Sequence, residues 1–255
     1  SRIRRVASTS VMVAENGRRA VVSQSGSRRY EFGKTSRILR TTNTRTGKTL
    51  YSFARNAEGR LLSVTDGDGN TTTIERTADG TATAIVAPDG QRTELTVDAH
   101  GHLTEITDPS GHRWSMAYTN GGLMTRYTDR AGATNTFRYR ANGRLIEDSG
   151  PKGSGWTLAR SERDDGYAVT MTSGAGRESV FALTRPTPDV RVYTNTAADG
   201  TVTKRTHTNA GDTTIERPSG TTITRTEGPD PRFGFGAPVI EETTVTSPAG
   251  LTRTV

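Results

Sequence analysis

The 255-residue sequence contains no cysteine and few aromatic residues, which make up 6% of the chain. The absence of cysteine excludes disulfide bonds and thiol chemistry. No apolar run approaches the roughly 18 residues that a membrane-spanning helix needs, so we predict no membrane span. The N-terminus lacks an initiator Met and the apolar core of a signal peptide. We therefore expect the chain to be a piece of a longer protein.

Hydrophobic residues are also scarce, at 31% of the chain. A content this low is compatible with a largely unfolded polar chain or with a thin sheet that has one weakly apolar face. The apolar residues fall at regular positions, and the net charge of +7 is modest for this length. Both observations favour the thin sheet.

The positive charge is concentrated at the N-terminal end. Residues 1–60 hold fourteen Lys and Arg against three Glu, a net charge of +11, so the remainder carries 7 − 11 = −4. Such a segment can be a nucleic-acid or membrane patch, or a solvated strand face whose arginines pair with acidic residues of neighbouring units. Aromatic residues at base-stacking positions are few, so we favour the second interpretation and predict no nucleic-acid partner.

Catalytic and metal-binding patterns are missing as well. A zinc site built from His100, His102 and His112 is conceivable, but neither cysteine nor a carboxylate cluster accompanies them. The tract 66–70 resembles the start of a calcium loop, yet later positions hold Thr where that loop needs Gly and Glu. We find no nucleophile elbow or dinucleotide fingerprint. We therefore predict no enzyme activity, no metal and no cofactor.

What the chain does contain is a repeat with a period of 21 residues. Self-similarity at such a period predicts an architecture in which each unit packs only against its neighbours. One recurring position is apolar, and we expect it to form the structural core of the repeat: Phe32, Phe53, Ile74, Leu95, Met116, Phe137 and Leu158. Two recurring positions are glycine, and we expect them to form the repeat turns: Gly59, Gly69, Gly80, Gly90, Gly101, Gly111, Gly122, Gly132, Gly143 and Gly153.

The residues between the glycines predict strands. Runs such as 93–97 alternate polar with apolar or β-branched residues, which indicates a strand. Tetrads such as Pro88-Asp89-Gly90-Gln91 have the chemistry of tight turns. No segment shows a helical period with caps. One period is therefore two short strands and two turns, and we predict an all-β ribbon of antiparallel strands.

Repeat regularity divides the chain in two. Residues 1–153 are regular repeats, whereas 154–255 are degenerate repeats with a Pro/Gly-rich loop near 228–238. We expect that loop to be a plug or a long surface loop. The prolines of 185–189 predict a second loop, because proline does not fit a central strand.

The fullest copies of the repeat carry a resemblance to a known family. They read F-A-R-N-A-E-G-R-L at 53–61 and F-R-Y-R-A-N-G-R-L at 137–145. This pattern resembles the YD repeat of bacterial Rhs and insecticidal toxin-complex shell proteins and of animal teneurins, which reads roughly Y-x-Y-D-x-x-G-R-L. The copies here are degenerate: the Asp of the motif is Asn56 in one unit and Arg140 in another, whereas Asp98 keeps it.

The resemblance implies a strand ribbon that spirals into a hollow shell around a polypeptide. The implied function is a structural segment of an Rhs-type toxin that encloses and helps deliver an effector. The implied partners are the remaining repeats of the parent chain and the enclosed effector, and the implied location is secreted or at the cell surface. The families also contain a self-cleaving tract of D-P-x-G-L type. Here 108–111 reads D-P-S-G but is followed by His112, so we expect this chain to lie upstream of any such core.

A second function remains open. An extended sheet rich in Arg and Thr could be an extracellular module that binds glycans or cell-surface proteins, as the teneurin resemblance also allows. Inward-facing polar residues and a plug-like tract would favour the shell. Aromatic residues clustered on an outward groove would favour glycan binding.

Overall fold

A computed structural model describes residues 12–13 and 19–255. The predicted repeats at 1–11 and 14–18 lie outside the described residues. Apart from a three-residue 3-10 turn at Pro151–Gly153, the described residues form only strands and connections, which confirms the all-β prediction. The strands are β1 (Met12–Val13), β2 (Arg19–Val22), β3 (Arg28–Phe32), β4 (Ile38–Asn43), β5 (Thr49–Arg55), β6 (Leu61–Asp66), β7 (Thr71–Arg76), β8 (Ala82–Val86), β9 (Arg92–Val97), β10 (Leu103–Thr107), β11 (Arg113–Tyr118), β12 (Met124–Thr128), β13 (Thr134–Tyr139), β14 (Leu145–Ser149), β15 (Gly155–Arg163), β16 (Gly166–Ser173), β17 (Glu178–Thr187), β18 (Val190–Thr196), β19 (Val202–Thr208), β20 (Thr213–Glu216), β21 (Thr222–Asp230), β22 (Gly234–Thr246) and β23 (Thr252–Thr254).

The described strand pairs are antiparallel and join strands that follow each other in the sequence, as β5 with β6 and β6 with β7. The same holds from β15 to β19, where the strands are longer. Because successive hairpins are the pairing units, most contacts of a strand are with its sequence neighbours. This is the ribbon that the 21-residue period predicts.

The packing separates the chain into two units. One unit contains the described residues up to Ser115 together with Gly228–Val239, and the other contains Met116–Glu227 together with Ile240–Val255. This division follows contacts between residues, whereas the boundary after residue 153 was drawn from repeat regularity and stays a prediction.

A β-bulge that recurs in several repeats explains why the period is an odd number. In the hairpin of β9 and β10, Leu103 lies opposite Val97. Glu105 lies opposite the preceding residue, Thr96, so Thr104 is an extra residue that has no residue opposite it in the ladder. The equivalent extra residues are spaced by 21 positions or by twice that number: Leu62, Thr83, Thr104 and Ile146.

The pairing also staggers successive repeats. Phe53 lies opposite Val64, which in turn lies opposite Thr72. The next repeated apolar residue, Ile74, is two positions further along its strand. Each repeat is thus displaced by about 6.8 Å along the strand direction, given the rise of roughly 3.4 Å per residue.

The predicted loop near 228–238 is mostly strand, and that part of the prediction is wrong. Strand β21 runs to Asp230 and β22 begins at Gly234, so only residues 231–233 form a turn. Likewise, Pro186 lies within β17, where the register with β18 shifts between Thr184 and Thr187. Such an irregularity removes the need for the backbone N–H that proline lacks. None of the described segments is a helix long and apolar enough to cross a membrane.

Candidate functional site

The repeat turns share one geometry. At the turn 98–102, the N–H of Gly101 donates to the carbonyl of Asp98 at 3.0 Å, and the N–H of Asp98 donates to the carbonyl of His102 at 2.9 Å. This is a type I turn closed by a glycine in the left-handed region, a G1 bulge. The backbone φ is positive at every predicted turn glycine: Gly59, Gly69, Gly80, Gly90, Gly101, Gly111, Gly122, Gly132, Gly143 and Gly153. Gly153 differs in lying at the end of the 3-10 turn Pro151–Gly153.

The residue three positions before the turn glycine closes the turn with its side chain. Oδ1 of Asp98 accepts the backbone N–H groups of His100 and His102, each at 2.9 Å. These hydrogen bonds, led by that of His102, lower the pKa of Asp98. Asp66, Asp108 and Asp129 accept the equivalent pairs of N–H groups. This position is therefore an Asx turn that satisfies backbone donors.

The histidines considered for zinc belong to these turns. Nδ1 of His102 lies 3.3 Å from Oδ2 of Asp98, and Nδ1 of His112 lies 3.0 Å from Oδ2 of Asp108. The two turns close opposite ends of strand β10, so the structure does not bring the three histidines together. Over 19–255, no group of three or more His, Asp or Glu is arranged to hold a metal ion.

The arginine that follows a turn glycine links neighbouring hairpins along one edge of the ribbon. Arg60 donates through Nη1 to the carbonyl of Asp79, in the next turn on the same edge. Arg37, which follows Ser36 with a φ of +58° and not a glycine, donates in the same way to the carbonyl of Glu58 at 3.0 Å. At the equivalent position of a later repeat, Nη1 of Arg144 lies 3.1 Å from Oε1 of Glu162. These arginines span about one period, from one turn to the next.

A second link crosses the sheet face. The hydroxyl of Tyr139 donates to the carbonyl of Met124, in the preceding hairpin, at 2.7 Å. Arg76 stands at the equivalent position and donates through Nε and Nη2 to the carbonyl of Leu61 at 3.2 and 3.0 Å. Tyrosine and arginine thus make the same backbone contact. Sequence reasoning missed both links, because their acceptors are main-chain atoms of another hairpin.

The predicted core residues lie on the face that carries this second link. In β7, the half-buried Ile74 alternates with exposed Thr73 and Glu75. Met116 is the most enclosed of the set, at 9% exposed. The other six, Phe32, Phe53, Ile74, Leu95, Phe137 and Leu158, are half-buried. A single sheet layer shields these side chains only by their neighbours, which accounts for the partial burial.

The opposite face is built from ion pairs. Arg92 pairs with Glu75 across β8, and Ala84, which lies opposite Glu75, is fully buried. Further pairs join Arg113 to Glu105, Arg138 to Glu147 and Lys204 to Glu216. Exposed pairs of this kind contribute little stability individually. Their effect is to give the ribbon one apolar and one charged face.

A comparison with protein families identifies this arrangement. The family described as the teneurin YD-shell matches residues 16–251, which is nearly the whole chain. The chain belongs to the teneurin YD-shell family. In this YD-shell chain, the Asp of the repeat motif forms an Asx turn, as Asp98 does. The Gly of the motif has positive φ, and the Arg, as at Arg60, links neighbouring turns along one edge of the ribbon. The second aromatic position, at Tyr139, supplies the link across the face.

Solved structures similar to this YD-shell chain include three protein complexes. The complex TcdB2-TccC3-TEV is 12% identical with a TM-score of 0.35, and the match covers 89% of this chain and 18% of that one. The complex TcdB2-TccC3-Cdc42 is 11% identical with a TM-score of 0.34, and the match covers 93% of this chain and 18% of that one. A Tc holotoxin pore from Photorhabdus luminescens is 14% identical with a TM-score of 0.33, and the match covers 96% of this chain and 15% of that one. The YD-shell chain thus spans less than a fifth of the length of these structures. A comparison with curated proteins finds no match.

Proposed function

We propose that this chain is a wall segment of an Rhs-type toxin shell that encloses an effector polypeptide and helps to deliver it. The observation that carries the proposal is the match of the teneurin YD-shell family to residues 16–251. A match of this extent leaves little of the chain for a separate activity, so we propose no catalytic role for it.

The links between hairpins suit a continuous wall. Neighbouring hairpins share a strand ladder, as between β6 and β7. They are also joined at the edge by Arg37 and Arg60 and across the face by Arg76 and Tyr139. These added hydrogen bonds have backbone acceptors, so they depend little on the partner's sequence. A wall held in this way tolerates the sequence drift seen between the repeats.

The proposal includes the partners and the location. The partners are further repeats of the same parent protein and the enclosed effector, and the protein acts outside the cell that makes it. The alternative is a cell-surface module that binds glycans or proteins. The two functions differ in what the repeats do to neighbouring sequence: a wall shields it from solvent, whereas a binding module leaves it accessible.

Protease protection of the full-length natural protein tests the proposal. The protein is digested with proteinase K, and surviving peptides are mapped by mass spectrometry over time. We expect polypeptide outside the repeats to survive until the repeats themselves are cut. A variant that weakens one repeat, Leu95→Asn, should shorten the protection, whereas the exposed-face control Thr96→Asn should not.

The opposite result would overturn the proposal. If sequence outside the repeats is digested at once while the repeats stay intact, the repeats do not enclose it. Binding of the 255-residue chain to glycan arrays or to cells would then support the surface-module alternative.

A further inference from the structure

One segment of the chain packs far from its sequence neighbours. Residues Gly228–Val239 group with the unit that contains the first repeats, although they come about two hundred residues later in the sequence. Within the segment, Asp230 is 7% exposed and Ala237 is 1% exposed. The buried polar residues of the described chain all lie in this segment or in β3 and β4: Glu31, Thr41, Thr42 and Asp230. This part of the unit is thus more enclosed than a single sheet layer.

The contact centres on Gly26, in the turn between β2 and β3. Gly26 is buried and has a φ of +65°. A Cβ at this position would lie 3.1 Å from Nη2 of Arg232 and 3.3 Å from Oδ2 of Asp230. The ring of Phe233 would lie 3.6 Å away. The turn 231–233 therefore rests directly on the bare backbone of Gly26.

The turn at residues 230–233 is held by hydrogen bonds among its own residues. Oδ1 of Asp230 accepts the backbone N–H of Arg232 at 2.7 Å and that of Phe233 at 3.2 Å. The Arg232 guanidinium donates to both carboxylate oxygens, and it lies 4.8 Å from the centre of the Phe233 ring. The hydrogen bond from Arg232 lowers the pKa of Asp230, so the carboxylate is ionised at neutral pH. The turn thus keeps its form without help from Gly26.

The turn between β2 and β3, on which residues 231–233 pack, also has hydrogen bonds of its own. The N–H of Gly26 donates to the carbonyl of Ser23 at 2.8 Å, and the hydroxyl of Thr44 donates to the carbonyl of Gly26 at 2.5 Å. Over the described residues, the contact at Gly26 is thus one of van der Waals packing, and the side-chain hydrogen bonds of Asp230 and Arg232 stay inside their own turn. Separating the two turns at Gly26 breaks none of these hydrogen bonds, so this step costs little compared with opening a strand ladder.

We propose that residues 228–239 form a detachable strap, docked on the Gly26 turn, which can leave the first repeats while their hairpins stay paired. The strap joins the turn between β21 and β22 to the turn between β2 and β3, which the ladder of sequential hairpins does not connect. Its release would therefore be a local opening of the wall and not an unfolding of it. The inference stands on the contact alone and does not require the wall to enclose an effector.

Hydrogen exchange of the 255-residue chain, followed by mass spectrometry, tests the strap with matched variants. Gly26→Asn keeps positive φ accessible, because Asn tolerates the left-handed region, but places a side chain where Arg232 and Phe233 lie. Phe233→Ala removes the contact from the strap side. The control is Gly69→Asn, at a turn glycine with φ +93° and open space around it.

We expect exchange in peptides covering 228–239 to rise at least tenfold in Gly26→Asn and in Phe233→Ala. Exchange in β7–β10 should stay within twofold of wild type, and Gly69→Asn should leave the strap protected. The proposal is overturned if both strap variants exchange like wild type over 228–239. It is also overturned if β7–β10 open together with the strap, since the strap would then not be a separate unit.

Discussion

The guanidinium of Arg37 occupies the space in which a side chain at Gly59 would stand, and its Nη1 donates to the carbonyl of Glu58 at 3.0 Å. Arg60 stands in the same relation to Gly80. These glycines therefore meet two requirements: they take positive φ, and they leave room for an arginine from the preceding turn. Gly69, on the other edge of the ribbon, has positive φ but open space around it. Gly101 belongs to the same series as Gly59 and Gly80 but also has open space around it, so the second requirement holds only where the preceding turn supplies an arginine.

Substituting the two kinds of glycine should separate these requirements. Gly69→Ala should cost about 1–2 kcal/mol, the strain of a non-glycine residue in the left-handed region. Gly59→Ala should cost about 1 kcal/mol more, because it also displaces Arg37 and removes a hydrogen bond. Urea denaturation followed by circular dichroism gives both values. In an Arg37→Ala background the extra cost should vanish, and an unchanged extra cost would show that the arginine is not its source.

The Asx turn at Asp66 should make stability depend on acid pH. Its carboxylate accepts the side-chain amide of Asn70 and the backbone N–H groups of Asp68 and Asn70, each at 2.9 Å. The hydrogen bond from the Asn70 side-chain amide is the largest cause of the lowered pKa of Asp66. Because the folded pKa lies below the unfolded value of about 3.9, the contribution is fully present above that value. It is lost as the pH falls through the folded pKa.

Asp66→Asn should therefore flatten the acid limb of the stability profile. Asn56 shows that an amide can accept a turn N–H, at 2.8 Å from Arg60, so the fold should be retained. Melting temperatures between pH 6 and pH 2 give the profile. The control is Asp68→Asn in the same turn, where the exposed carboxylate meets Lys48 at 3.2 Å. A profile for Asp66→Asn parallel to that of wild type would contradict the prediction.

The sequence predicts the strands and turns because both have local causes. Alternation of apolar and polar residues and glycines at positive φ repeat with the period, so strands such as β7 and turns such as 98–102 can be predicted. The odd length of the period indicates an extra residue in each repeat. It does not identify Thr104, because Leu62 and Ile146 stand at the same position with different chemistry.

Contacts with backbone atoms of another hairpin leave no trace in the sequence of the acceptor. The arginine of the motif is visible at Arg60, but its partner is the carbonyl of Asp79, which any residue would supply. The strap is hidden for a similar reason. Pro229 and Pro231 predict a loop, whereas the docking of this segment depends on Gly26, far away in the sequence.

The link made by Tyr139 can be tested by removing one oxygen atom. Tyr139→Phe removes the hydroxyl that donates to the part-buried carbonyl of Met124, which should lower the free energy of unfolding by about 0.5–1.5 kcal/mol. Tyr193→Phe is the matched control, because over the described residues the hydroxyl of this exposed tyrosine has no hydrogen-bond partner. Urea denaturation of both variants gives the comparison. Equal losses would mean that the Tyr139 hydroxyl contributes nothing specific.

The assignment of the apolar face can be tested on two adjacent residues of β9. Leu95 is half-buried opposite Ile106, whereas Thr96 is exposed on the other face. Leu95→Asn should cost about 1–2 kcal/mol, since it removes part of a leucine's burial and places an amide among apolar groups. Thr96→Asn should cost no more than about 0.5 kcal/mol, a difference in strand preference. Because each repeat packs on its neighbours, the faster hydrogen exchange of Leu95→Asn should stay within β8–β11. Equal costs at the two positions would show that the assignment of Leu95 to the apolar face is wrong. Exchange that rises over the whole chain would contradict packing of each repeat on its neighbours alone.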